Sequence, residues 1–144
     1  MIFELARTHR GCAAALLRRM NLHPGQELLL MHLFDRDGQT QSELVVGVGL
    51  DPSTVSKALR RMADAGFLVR EPAEHDRRVS VIHLTDKGRA MRGPIAAMWQ
   101  TLEEATIRNL SQQQTEDFID TARAIVDSFN TRPPTAGPTE CEKL

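Results

Sequence analysis

The side chains best equipped for chemistry in this chain are cations and short hydroxyls, spaced for anion recognition. Ser53, Thr54, Ser56, Lys57, Arg60 and Arg61 form one group. On a helix of about 100° per residue, Val55, Leu59 and Met62 share a stripe with Ala58 beside it. Ser53, Lys57, Arg60 and Asp64 fall roughly opposite, flanked by Ser56 and Arg61. Small hydroxyls let such a helix approach a surface closely, and the cations can reach guanine edges or phosphates in a major groove. A second group is Arg77 and Arg78 beside Asp76, between two β-rich runs. An Arg on a narrow ribbon suits a minor groove, where negative potential is concentrated. Asp76 can orient one guanidinium through a bidentate pair. Each group also has a plain reading, a mixed-charge surface helix and a solvated turn, and only their joint occurrence is specific.

Other chemistry is poorly supported. Gly-x-Ser-x-Gly, a P-loop, His-Glu-x-x-His and Gly-x-Gly-x-x-Gly are all missing from the sequence, so an enzyme is not expected. His9, His23, His32, His75 and His83 have neither the i, i+4 nor the Cys-x-x-Cys spacing that favours zinc, and no metal or cofactor is expected. Cys12 lies on the apolar stripe of a predicted helix and reads as a buried thiol; a redox-sensing role for it is the alternative. Cys141 lies in a tail. Two cysteines so far apart suggest no disulfide framework, which makes a reducing cytoplasm the expected compartment.

The formal net charge of −1 seems at first to argue against a nucleic-acid partner. It is an average. Residues 1–56 carry −1, residues 57–92 carry +4 and residues 93–144 carry −4. The 144-residue length suits one domain, and 41% hydrophobic residues suffice for a core. No run of about 18 apolar residues offers a membrane span, and the charged opening residues do not read as a signal peptide.

These groups need elements to position them. A helix is predicted over Ile2–Met20, with Leu5, Cys12, Ala13, Leu16, Leu17 and Met20 on its apolar stripe. Pro24 fits the first position of a second, mostly apolar helix through Phe34. Thr40-Gln41-Ser42-Glu43 is a capping box that opens a short third helix. Asp51 as N-cap and Pro52 open a fourth, which runs to Ala65 and stops at Gly66. Two short helices across a tight turn make a helix-turn-helix pattern. Phe67–Arg70 and Val79–Leu84 then read as a β-hairpin with a charged tip. Thr85-Asp86 can cap a helix through Met91, Ile95, Met98, Trp99, Leu102 and Ile107, with Pro94 kinking it or delaying its start. Ser111 and Gln114 make a second capping box, before a last helix through Phe118, Ile119, Ala122, Ile125, Val126 and Phe129. The Pro- and Gly-containing segment from Thr131 reads as a disordered tail.

In this order the chain resembles the MarR family of winged helix-turn-helix transcription regulators. The resemblance is carried by His23-Pro24-Gly25-Gln26, Ser42-Glu43-Leu44, Leu50–Ser56, Leu59 with Met62, Ala65–Val69, Asp76-Arg77-Arg78 and Val81–Gly88, and it spans roughly Leu5 to Phe129. It implies a mainly α (α+β) fold: a winged helix-turn-helix core at 23–92, N- and C-terminal dimerisation helices at 1–22 and 93–130 within a single unit 1–130, and a tail at 131–144. It implies a homodimer whose two recognition helices enter successive major grooves of a pseudo-palindromic duplex. Carried over by position, Ser53, Thr54, Ser56, Lys57 and Arg60 would face DNA, with Arg61 and Arg78 beside them. Arg77 would enter the minor groove, and Gln41 and Ser42 would meet phosphate. Such proteins usually repress, and a small phenolic or aromatic carboxylate often releases them. Arg7 or Arg10, with His9 between them, could hold that carboxylate, since Arg matches it bidentately. This chain departs from the pattern at His23, where Thr is common, at Gly47, where a helical residue is usual, and in a very short segment before the first helix. A winged-helix module that binds protein through its basic strip is the reading from another class.

Overall fold

The helices that open at Gln41, Pro52, Asp86 and Gln112 begin where a side chain takes up N–H groups that a first turn leaves free. The computed structural model describes residues 1–73, 76 and 78–131. Its elements, in order, are α1 (Ile2–Arg18), α2 (Gln26–Asp35), β1 (Gln39–Thr40), α3 (Gln41–Val48), α4 (Pro52–Asp64), β2 (Leu68–Pro72), β3 (Ser80–Leu84), α5 (Asp86–Arg89), α6 (Arg92–Ile107) and α7 (Gln112–Thr131). All the expected caps form. The Thr40 hydroxyl accepts from Glu43 N at 3.2 Å while Glu43 Oε2 accepts from Thr40 N at 2.8 Å. Asp51 caps α4, with Pro52 at its first turn. The Thr85 hydroxyl accepts from Gly88 N. Ser111 and Gln114 exchange the bonds of the second box.

The described residues divide into two compact units, 1–103 and 104–131. The first is built on one core. Leu17, Leu22, Leu29, Leu30, Leu33 and Leu44 meet Val55, Leu59 and Met62 of α4, Phe67, Leu68, Ile82 and Leu84 of the hairpin, and Ile95 and Met98 of α6. As expected, α2 is deeply buried, down to its first residues Gln26 and Glu27. Burial pushes the Glu27 carboxyl above the ordinary range, although it accepts a 2.8 Å bond from Gly25 N. The sheet is three-stranded and antiparallel, in the order β1-β3-β2. The hairpin pairs Leu68 with Leu84 and Pro72 with Ser80.

The structure corrects several expectations. Pro24 lies outside α2, whose N-cap is Gly25 at φ 94°; His23 N donates to the Gln26 side chain across the turn. The helix expected from Thr85 is two: α5 ends at Arg89 and α6 starts afresh at Arg92, so that Pro94 sits in a first turn, where its missing N–H leaves no bond unmade. The strand β1 had no signal, being two polar residues that pair Gln39 with Ile82 and Thr40 with Val81. On α1 only Leu17 is buried; Leu5 is 49% exposed, and Cys12 is exposed because it sits on a part of α1 that no other described element covers. In the second unit none of α7 is buried, with Val126 55% and Phe129 59% exposed. Thr131 closes α7, and the rest of the expected tail, Cys141 included, lies outside the described residues.

Candidate nucleic-acid interface

The helices α3 and α4 are both anchored by apolar side chains in the core, which leaves the other face of α4 outward. Leu44 of α3 is fully buried, and so are Val55, Leu59 and Met62 of α4. What remains of α4 is a polar face. Ser53, Thr54, Lys57, Arg60 and Arg61 are exposed and Ser56 is partly so, as the helical wheel required. Ser56, Lys57, Arg60 and Arg61 line one cleft of about 310 Å³. At the helix start, Asp51 accepts from Ser53 Oγ at 2.7 Å, Thr54 N at 2.9 Å and Thr54 Oγ1 at 2.5 Å. These bonds hold its carboxyl well below the ordinary range, the Thr54 hydroxyl contributing most.

A second cleft of about 310 Å³ lies between the α3 N-terminus and the hairpin, lined by Thr40, Gln41, Ser42, Arg70, Arg78, Val79 and Ser80. It gathers Gln41, Ser42 and Arg78 with two residues the sequence did not single out, Arg70 and Ser80. Only the strand register could have revealed them, since Arg70 pairs with Ile82 two places from Ser80. The capping box stiffens the opposite wall. Arg36 donates to Glu43 at 2.8 Å, and this bond, with those from Thr40, holds the Glu43 carboxyl down to about 2.

The structure also sorts the basic segment. Lys87 Nζ donates to Ala65 O at 2.6 Å and lies over the Phe67 ring; Arg89 pairs with Asp37 at 2.8 Å; Arg92 donates to Phe34 O and lies over its ring. These three tie elements together. Lys57, Arg60, Arg61 and Arg70 make no ion pair among the described residues. Asp76 does not clamp the Arg78 guanidinium bidentately. Its Oδ1 accepts from the Arg78 backbone N–H at 2.9 Å and lies 4.0 Å from Arg78 Nε, leaving that side chain 95% exposed, because a tight turn places the amide nearer than the long side chain. Arg77 lies outside the described residues.

Within the same unit a smaller cavity of about 180 Å³ is lined by Met31, Phe34 and Asp35 of α2 and Arg92, Ile95, Ala96 and Trp99 of α6. Trp99 Nε1 is buried without a hydrogen-bond partner among the described residues. Arg7, His9 and Arg10 do not border this cavity; all three lie on α1, and Arg10 Nε donates to Ala6 O in its own helix. Among the described residues no group of three His, Cys, Asp or Glu side chains is placed to hold a metal, and no helix is long and apolar enough to cross a membrane.

A buried-backed helix with its polar face outward, next to a basic antiparallel ribbon, defines a winged helix-turn-helix protein of the DNA-binding class. Comparison with known proteins narrows the class. The MarR family model matches residues 20–79. Over 113 residues the chain is 29% identical to the HTH-type transcriptional regulator MgrA of Staphylococcus aureus, covering 78% of this chain and 76% of that one. Its fold is similar to that of the PcaV transcriptional regulator from Streptomyces coelicolor, with TM-score 0.78, 23% identity and coverage of 92% and 99%. It is also similar to Bordetella bronchiseptica BpsR, whose DNA binding is regulated by 6-hydroxynicotinic acid, with TM-score 0.71, 20% identity and coverage of 88% and 98%. Over these stretches the chain is similar to MarR-family transcription regulators.

Proposed function

We propose that this regulator works in the cytoplasm as a homodimeric repressor, binding a pseudo-palindromic operator through two copies of α4 and leaving it when a small aromatic carboxylate binds. The carrying observation is the polar face of α4: hydroxyls and unpaired cations outward, three fully buried side chains behind. In this reading Ser53, Thr54, Ser56, Lys57, Arg60 and Arg61 enter the major groove, and Gln41, Ser42, Arg70, Arg78 and Ser80 grip phosphate. Arg77 takes the minor groove, with Asp76 shaping the turn beside it. Residues 23–92 form the reading core, and 1–22 with 93–130 the dimer arms. The bare apolar face of α7 supports the arms.

For the effector, the cavity between α2 and α6 has the required mix, with apolar walls, a guanidinium in Arg92 and an unsatisfied indole N–H. Arg7, His9 and Arg10 on α1 are the alternative anchor, and the BpsR case supports an aromatic acid.

Duplex binding measured across salt tests the whole. Affinity for a selected operator should fall about 10³-fold or more between 50 and 200 mM salt if six or more phosphates are contacted. Lys57→Ala or Arg60→Ala should cost about 1–3 kcal/mol at a base contact, or lower the salt slope by about one at a phosphate. Equal binding of the wild type to every duplex would defeat the reading.

A further inference from the structure

We propose that Asp51 sets the hydrogen-bonding polarity of the first turn of α4, making Ser53 and Thr54 acceptors for an exocyclic base amine, N6 of adenine or N4 of cytosine, on the strand they face. This rests on α4 being the helix that reads DNA, and it adds a specificity-determining residue that need not touch DNA.

An ionised carboxylate has no proton to give. In the bonds from Ser53 Oγ at 2.7 Å and Thr54 Oγ1 at 2.5 Å, each hydroxyl is therefore the donor and its one hydrogen is spent on Asp51. What each oxygen still offers is lone pairs. The backbone donors of this turn are spent too. Pro52 has none, Ser53 N–H acts weakly on the Asp51 carboxyl, Thr54 N–H goes to Asp51 Oδ1, and Val55 N–H goes to Asp51 O at 3.1 Å. A helix start normally attracts phosphate through such free amides. Here they are occupied and a negative charge is added.

The next turn is the reverse. Ser56, Lys57, Arg60 and Arg61 line the cleft along α4, and its cations can only donate. The helix thus presents acceptors at its start and donors further on. In the major groove guanine shows N7 and O6 and thymine shows O4, all acceptors, whereas adenine N6 and cytosine N4 donate. Lone pairs facing lone pairs repel, so the first turn selects an amine and the second selects guanine or phosphate. The Asp51 carboxyl, ionised at neutral pH in any case, is lowered further by its bonds from Thr54 and Ser53.

The test selects bound duplexes from a random pool with wild type, Asp51→Asn and the double variant Ser53→Ala, Thr54→Val. Asn keeps the helix cap, but its amide NH₂ donates to one hydroxyl and frees that hydroxyl to donate elsewhere. Wild type should enrich adenine or cytosine at a position whose preference disappears in the double variant. Replacing that base by an analogue lacking only the amine should weaken wild-type binding roughly five- to tenfold. Asp51→Asn, with an unchanged melting curve, should admit guanine or thymine there and lose less than about twofold on amine removal. Wild-type selectivity retained in Asp51→Asn, or guanine or thymine enriched by wild type at that position, would overturn the role of Asp51 and leave the DNA-reading function standing. A wild type that enriches no sequence would overturn both.

Discussion

Gly88 illustrates how much one missing methyl can decide. A Cβ there would lie 2.0 Å from Phe67 O and 3.1 Å from a Leu84 methyl. The position is where α5 packs on the strand ends, and Thr85 O and N bond to Arg89 N and Phe67 O around it. Gly88→Ala must push a backbone carbonyl aside, so it should destabilise the fold by about 1–3 kcal/mol in urea unfolding. An unchanged midpoint would show that the hairpin and α5 can separate without cost. Gly47 has the same kind of cause. A Cβ there would meet the His32 ring at 2.8 Å, so this departure from the family pattern is matched by a bulky partner on α2. Asp37 is the residue whose importance the sequence hid. Its Oδ1 accepts from Leu84 N and its Oδ2 binds Arg89, joining the α2–β1 turn, β3 and α5 at one carboxylate.

At the scale of elements, the cap of α3 carries a pH dependence with a definite sign. Its Glu43 carboxyl is held to about 2 from an ordinary 4.5, chiefly by Arg36. A depressed carboxyl lends stability that is complete above about pH 4.5 and is lost as the pH falls toward 2. Glu43→Gln can still close the capping box but has no charge to lose. Between pH 4.5 and 2 the wild-type melting temperature should therefore fall more steeply than that of Glu43→Gln; parallel curves would remove Glu43 from the acid response. Helices α3 and α4 and the hairpin were legible because their causes are local: Thr40 with Glu43, Asp51 with Pro52, and Val55, Leu59 and Met62 at helical spacing. β1 was not, since two polar residues have no period and pair only because the α2–α3 turn lays them beside β3. Arg70 was missed for the same reason, its place in the site depending on the register of two strands. Lys87, Arg89 and Arg92 counted toward a basic strip because one-dimensional charge cannot separate a cation that binds a carbonyl from one that faces solvent.

For the molecule as a whole, the apolar stripe of α7 is exposed. Phe118, Ile119, Ala122 and Val126, with Arg123 and Asp127, line a groove of about 440 Å³. Periodicity identified the stripe correctly but could not say what covers it, because a helix that packs on its own chain and one that packs on a second copy share the same pattern. If a second copy covers it, Phe118→Asp with Val126→Asp should give monomers in sedimentation and weaken operator binding. A double variant that still sediments as a dimer would place the interface elsewhere. Trp99 has one more consequence. It is the sole tryptophan of a chain without tyrosine, and its buried indole N–H, beside the α2–α6 cavity, faces no acceptor among the described residues. The unlabelled protein thus contains a single optical probe, and its ultraviolet emission reports on that one locality.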